Sequence, residues 1–291
     1  MSVHGERGRA WLEALPALLD DIAREWRIEI REPFALSYNY VTRARTHDGA
    51  DVVLKVGVPS QALANEIAAL RHFDGRGAVR LIAADVARGA MLLERVIPGD
   101  TLKDVDDDES ATAIAADVMR AMWRPPPSRH DFPTVAEWGQ GFTRLRQHFR
   151  GGTGPLPARL VAMAEHTYGD LVASSAPPVL LHGDLHHENM LHAANGRWLA
   201  IDPQGVVGEP VYDTGALLRN PHEWLAGAAD PARLLSRRVT ILAERLGFDR
   251  QRILDWAMAQ AVLSAWWHIE DHEAGGIESA IAVAEVFADM R

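Results

Sequence analysis

The sequence predicts an α+β fold with a small β-rich N-terminal part and a large, mainly helical remainder, built either as one large domain or as two lobes. Three observations carry that expectation. Short apolar segments separated by turn signals crowd into the early part of the chain, up to residue 97. Beyond Pro98 most apolar patterns have helical period. Finally, 291 residues with a hydrophobic fraction of 47% can bury a sizeable core, and with no cysteine they must do so without disulfides.

Residues 8–30 read as mainly helical, with Trp11, Leu15, Leu18, Leu19, Ile22 and Trp26 on one apolar stripe. Strands are expected at 34–45 and 51–56, joined by a turn at His47-Asp48-Gly49. Pro59-Ser60 then starts a helix whose apolar positions are Leu63, Ile67 and Leu70. Two further strands, 79–84 and 90–96, meet at Arg88-Gly89. Ile97-Pro98-Gly99 marks a hinge that divides the chain into 1–97 and 98–291. In the second part, the Pro125-Pro126-Pro127 and Gly151-Gly152-Thr153-Gly154-Pro155 breaks read as surface loops. The acidic run of Asp104, Asp106, Asp107, Asp108 and Glu109 reads as a solvated helix cap. Val179-Leu180-Leu181 and Trp198-Leu199-Ala200-Ile201 read as short buried strands, with a hairpin turn at Ala193-Ala194-Asn195-Gly196. No internal repeat or low-complexity tract is present.

The chemistry concentrates in His182-Gly183-Asp184-Leu185-His186-His187-Glu188-Asn189, followed by Ile201-Asp202-Pro203. An Asp, an Asn five positions later and a second Asp eighteen positions after the first make a layout suited to phosphoryl transfer. One carboxylate sits beside the attacking hydroxyl, while an amide oxygen and the other carboxylate hold Mg²⁺ with hard oxygen ligands. Each residue alone is an ordinary turn residue. A zinc site is the rival for His182, His186 and His187, but the H-E-x-x-H helix is absent and there is no thiolate. A phosphoryl-transfer site also needs a lysine on a strand and a glutamate on a helix. Lys55 interrupts an apolar strand, and Glu66 lies between Leu63 and Leu70 on the apolar face of the next helix. A carboxylate there wants a partner, and Lys55 is the natural one.

At these residues the sequence resembles the aminoglycoside phosphotransferase family, in the branch of streptomycin and hydroxyurea phosphotransferases. The resemblance implies a protein-kinase-like fold that uses ATP and Mg²⁺ to phosphorylate a hydroxyl. It assigns Asp184 to the acceptor hydroxyl, Lys55 with Glu66 to the phosphates, and Asn189 with Asp202 to the metal. His186 would either neutralise the transferring group or brace the loop. Glu94 and Val96 would offer main-chain groups to the adenine edge, and Ser37 and Asn39 would meet a phosphate. Asp213 resembles the family's buried Asp that bonds the catalytic loop, with a helix N-cap as the alternative. Late helices would line the acceptor pocket, here with Trp267, Glu270 and Asp271, and with Trp266 and Glu273 nearby. The chain departs from protein kinases in its glycine-free Ser37-Tyr38-Asn39-Tyr40, in Asp202-Pro203-Gln204 where they carry D-F-G, and in lacking A-P-E. These departures point to a small-molecule kinase.

A formal net charge of −10 and a pI near 5.7 argue against nucleic-acid binding and suit a cationic acceptor. The start lacks an apolar signal core and no run approaches eighteen apolar residues, so a cytoplasmic, membrane-free protein is expected, monomeric or weakly associating. The expected acceptor is streptomycin or a related guanidinylated cyclitol. The alternatives are hydroxyurea or another small metabolite, and a catalytically inactive nucleotide-binding regulator.

Overall fold

In the computed structural model, which describes residues 5–35, 38–272 and 275–291, a leading helix α1 (Gly5–Trp26) runs into a five-stranded antiparallel sheet. The strands are β1 (Ile28–Pro33), β2 (Tyr40–Thr46), β3 (Asp51–Val56), β4 (Leu81–Asp85) and β5 (Ala90–Glu94), in spatial order β1-β2-β3-β5-β4, with α2 (Gln61–Phe73) inserted before β4. The period of two along β5 sorts its side chains between two cores. Ala90 and Leu92 join Leu15 and Ile22 of α1, whereas Met91 and Leu93 join Leu63, Ile67 and Leu70 of α2. The sheet is therefore covered on both faces.

One boundary differs from the sequence expectation. The first helix stops at Trp26, Arg27 turns left-handed with φ 54°, and Ile28 opens β1. Ile30 lies four positions after Trp26, so the helical spacing continued by coincidence, while Ile28 and Ile30 also satisfy strand alternation. The strand expected at 34–45 is consequently β2 with the connection before it, and β1 occupies residues that the sequence reading gives to the helix or leaves unassigned.

The remainder comprises β6 (Pro98–Thr101), α3 (Asp108–Met122), α4 (Val135–His148), α5 (Ala158–Ala173), β7 (Val179–Leu181), β8 (Met190–Ala193), β9 (Trp198–Ala200) and β10 (Val206–Gly208). It continues through α6 (Thr214–Leu218), α7 (His222–Gly227), α8 (Pro231–Leu246), α9 (Arg250–Glu270) and α10 (Ile277–Asp289). β8 pairs with both β6 and β9, and β7 pairs with β10. Helix α9 is the axis of this lobe, buried at Ile253, Leu254 and every position from Trp256 to Trp266. A helix apolar all round can only be stable with neighbours on every side. The acidic run does more than cap α3. Asp107 accepts from the Ser110 N–H, but Asp108 pairs with the fully buried Arg238 at 2.5 Å and Glu109 with Arg237 at 2.7 Å, both on α8. The two lobes are stitched where the Val79 N–H donates to the Ala200 carbonyl (2.9 Å) and the Ala200 N–H to the Gly77 carbonyl (2.8 Å). Among the described residues no helix is long and apolar enough to cross a membrane.

Candidate active site

Alternation along β3 sends Leu54 and Val56 to the α1 side and leaves Lys55 facing α2. The Ser60 hydroxyl accepts from the Leu63 N–H at 3.2 Å and so sets where α2 begins, which puts Glu66 on its buried face. Lys55 Nζ lies 2.7 Å from Glu66 Oε1 and 3.1 Å from Asp202 Oδ1, with Lys55 and Glu66 3% and 7% exposed. Burial works to lower the Lys55 ammonium, but Glu66 and Asp202 outweigh it and hold it above the ordinary range. For Glu66, burial wins over the attraction of Lys55 and pushes the carboxyl up to about 7. The two tendencies describe one tightly shared site, in which the ammonium is the charge that both carboxylates stabilise.

The loop after β7 is held from behind. Asp213 is buried and accepts from the His182 N–H (3.1 Å), the Gly183 N–H (2.8 Å) and Trp123 Nε1 (3.0 Å), and it makes no side-chain cap bond to α6. This is the geometry of a loop brace and not of an N-cap. Burial pushes its carboxyl up, with His182 and the three donors pulling the other way. Gly183 adopts φ 87°, and a Cβ there would lie 2.7 Å from the Trp138 ring, so both backbone and space call for glycine. His182 accepts from the Asp184 N–H on Nδ1 (3.2 Å) and meets the Ile201 carbonyl with Nε2 (2.8 Å), which makes Nε2 the protonated nitrogen.

That bonding removes the zinc rival. His182 is spent on backbone, and His187 is buried edge-on against Trp224, with ring centroids 5.4 Å apart. No group of three or more metal-binding side chains occurs among the described residues. Burial drives His187 down to about 3. His186 caps the short turn His187–Asn189, its Nδ1 near the Glu188 N–H (3.3 Å) and its Nε2 3.2 Å from Asn189 Nδ2 and 3.7 Å from Asp184 Oδ2. Burial lowers this imidazole, against the pull of Asp184. The contacts of His186 are thus with its own loop, at Glu188, Asn189 and Asp184.

Asn189 donates Nδ2 to the Asp184 carbonyl (2.9 Å), and its own carbonyl accepts from the Ile201 N–H (2.9 Å). Pairing of Met190 with Ala200 then sets Asn189 and Asp202 beside each other at the start of the β8–β9 ladder. Asp202 sits at φ 59°, a conformation Asp tolerates, with a side chain 48% exposed. One amide oxygen and one open carboxylate suit Mg²⁺, which keeps waters and takes its other ligands from phosphates, better than they suit a metal that needs an all-protein cage.

A cavity of about 550 Å³ opens in front of Asp184. Trp267 and Asp271 line it, together with residues the sequence reading left unremarked: Trp138, Arg144, Arg219, His222 and Ser264. Trp138 and Trp267 meet edge to face at 5.7 Å, and Trp266 belongs to the core. Glu270 corrects the expectation made for it. It is not among the lining residues, because both carboxylate oxygens are taken by Arg144, at 2.6 and 3.0 Å. A signal for Arg219 was present: a charged residue directly after the apolar Ala216-Leu217-Leu218 wants a buried partner, as Glu66 does.

Elsewhere, Glu94 and Val96 border a recess of about 260 Å³ between the hinge and the β8–β9 turn, and Glu94 Oε1 accepts from the Arg80 N–H at 2.7 Å. Asn39 lies against Gly57, its side chain filling the space a Cβ there would need. Ser37 and Glu273 lie outside the described residues.

Comparison with known proteins accords with this geometry. The model of a family described as aminoglycoside/hydroxyurea antibiotic resistance kinase matches residues 27–272. The streptomycin 6-kinase of Streptomyces glaucescens is 31% identical over 97% of this chain and 92% of its own length. The hydroxyurea phosphotransferase of Kitasatospora aureofaciens is also 31% identical, over 97% of this chain and 81% of its own. In fold, the chain is similar to a thermostable mutant of aminoglycoside phosphotransferase APH(4)-Ia solved as a ternary complex with ADP and hygromycin B. The TM-score is 0.66 at 15% identity, over 93% of this chain and 97% of that one.

Proposed function

The chain belongs to the aminoglycoside/hydroxyurea antibiotic resistance kinase family, and from that premise we propose that it transfers the γ-phosphoryl group of ATP, with Mg²⁺, to the 6-hydroxyl of streptomycin or a related guanidinylated cyclitol. The lobe boundary falls at 97/98, with the nucleotide between the lobes. Asp184 orients the acceptor hydroxyl and takes its proton as the new bond to phosphorus forms. The bond from phosphorus to the bridging oxygen breaks, and its electron pair leaves on ADP. Lys55, steadied by Glu66, meets the phosphates. Asn189 and Asp202 would hold Mg²⁺, which supplies positive charge to the phosphate oxygens. Asp202, which contacts Lys55 Nζ at 3.1 Å, would offer its carboxylate to the ion.

The observation that carries the acceptor reading is the cavity. At about 550 Å³ with Asp184, Trp267 and Asp271 in its lining, it has the size of a pocket for a drug-like molecule. A molecule as small as hydroxyurea would leave most of it filled with water. Asp271, and Glu137 through the oxygen that does not cap Thr134, supply carboxylates for cationic groups. An inactive regulator is the weaker reading, since it has no use for Lys55, Glu66, Asp184, Asn189 and Asp202 together.

The test is transfer of labelled γ-phosphate from Mg-ATP to a panel of streptomycin, other aminoglycosides, hydroxyurea and sugar alcohols. Streptomycin is expected to be the best acceptor. Efficient turnover of hydroxyurea with streptomycin inert would move the assignment to the small neutral acceptor. Nucleotide binding without transfer to any of them would favour the regulator.

A further inference from the structure

Asp184 does not face the cavity alone. Arg219, just beyond α6, has a side chain only 9% exposed, and its Nη2 lies 3.3 Å from Asp184 Oδ1. Nη1 of the same guanidinium is 3.3 Å from Oε1 of Gln260, a buried residue of α9 whose Nε2 donates to the Tyr212 carbonyl at 2.7 Å. The space for this relay is made by Gly215, where a Cβ would overlap the Gln260 side chain. The turn carrying Arg219 is itself strapped. The fully buried Arg238 donates Nη1 to the carbonyls of Leu217 (3.3 Å) and Asn220 (2.6 Å), and Asp108 holds its other side.

Burying a guanidinium is costly, and the cost is met only where its partners are fixed and matched in charge. Here one partner is a neutral amide, locked by backbone. The other is the carboxylate on which phosphoryl transfer turns. A planar fork joins two such points, which the single ammonium of lysine does not do. An Asp carboxylate is free to rotate about its last torsion unless something holds one oxygen, and misorientation at a reacting centre is penalised steeply.

We infer that Arg219, held by Gln260, is a positioning residue for Asp184: it engages Oδ1, sets the plane of the carboxylate, and leaves Oδ2, the oxygen on the His186 side, to receive the acceptor hydroxyl. The inference rests on the reading of Asp184 given above, and the experiment separates the two.

Turnover, KM for streptomycin and Mg-ATP affinity are measured for Asp184→Ala, Arg219→Gln, Arg219→Lys, Arg219→Ala and Gln260→Leu, with thermal unfolding alongside. Arg219→Gln should lose about 10- to 100-fold in kcat while KM and nucleotide affinity stay within about twofold. Arg219→Lys should recover part of that loss, and Gln260→Leu should cost about 3- to 10-fold through the loosened guanidinium. Guanidinium ion added at a sub-denaturing level should raise the turnover of Arg219→Ala and leave Asp184→Ala dead, an effect that a merely structural strut would not produce. Wild-type kcat in Arg219→Gln, a loss confined to KM, or a loss tracking melting temperature without rescue would each overturn the inference while Asp184→Ala remains inactive. Wild-type turnover in Asp184→Ala would overturn the site reading itself. If streptomycin is inert with the wild-type protein, the same variants are read on phosphate release from Mg-ATP with water as acceptor, and the same ranking is expected.

Discussion

The loop proposed to carry the chemistry and the wall proposed to take the acceptor meet at one cavity and are held by opposite means. In the loop, Asp213 satisfies three N–H donors from a fully buried position, His182 ties Asp184 to Ile201, and Asn189 returns to the Asp184 carbonyl. Apart from Trp123, all of this lies between residues 182 and 213. The wall is closed by Arg144 and Glu270, partners 126 positions apart whose side chains are 46% and 32% exposed. Buried donors without acceptors are expensive, whereas an exposed fork is worth about 0–1 kcal/mol. The difference teaches that, on the proposed function, the chemistry would be built on a scaffold that resists change, and acceptor recognition on contacts that can be rewired at little cost to the fold.

The largest effect expected is on the loop side. Asp184→Ala should lower turnover by about 10²- to 10⁴-fold with Mg-nucleotide affinity nearly intact. Steady-state kinetics beside a nucleotide titration decides this, and a matching loss of affinity would mean the loop has collapsed and not merely lost a base. Asp213→Ala should then destabilise the protein by about 3 kcal/mol in urea unfolding, since two backbone N–H groups and the Trp123 indole lose their acceptor. A cost as small as that of Glu270→Ala would erase the contrast between the two regions.

Acid should weaken the loop specifically. His187 is held near 3 in the folded state against an ordinary value near 6.5, so the unfolded chain binds more protons between those limits. The stability is fully present above about pH 6.5 and drains as pH falls toward 3, reaching a loss of about 2 kcal/mol near pH 5. His187→Phe should flatten that slope in urea melts taken across the window, and an unchanged slope would remove His187 from the account. For the buried pair, Lys55→Ala and Glu66→Ala together should cost little more than the worse single change, a coupling of about 1–3 kcal/mol in a double-mutant cycle on nucleotide affinity. Additive losses would show that the 2.7 Å contact carries no function.

The smallest effects belong to the wall. Asp271→Asn should raise KM for a guanidinylated acceptor by about 3- to 10-fold with little change in kcat. Glu270→Gln should do less, because Glu270 does not line the cavity whereas Asp271 does. A larger KM effect from Glu270 than from Asp271 would show that the Arg144 fork opens to admit the acceptor, and would sharpen the comparison in that direction.

The legibility of the molecule follows the same division. Four of the five strands of the small sheet, the Ser60 cap and the pairing of Lys55 with Glu66 were readable because each rests on local period or on a charge stranded in an apolar face. The end of α1 was misplaced because Trp26 and Ile30 keep helical spacing across the break. Arg219 and Gln260 carry the same stranded-polar signal as Glu66, yet their partners sit 35 and 48 positions away, and no periodicity announces such a pairing.

What the amino-acid sequence determined by itself is the set of proposed reacting groups and the backbone that presents them: glycine at 183, Asp184, Asn189 five positions on, and Asp202 after one hairpin. Short-range sterics and hydrogen bonds place these, and such forces act within a few residues. Only the tertiary structure decided which carboxylates line the cavity, that Glu270 is claimed by Arg144, and that a guanidinium from beyond α6 stands on Asp184 Oδ1. Those outcomes depend on how α4, α6 and α9 pack, and packing energies are sums over many distant contacts that no local pattern encodes.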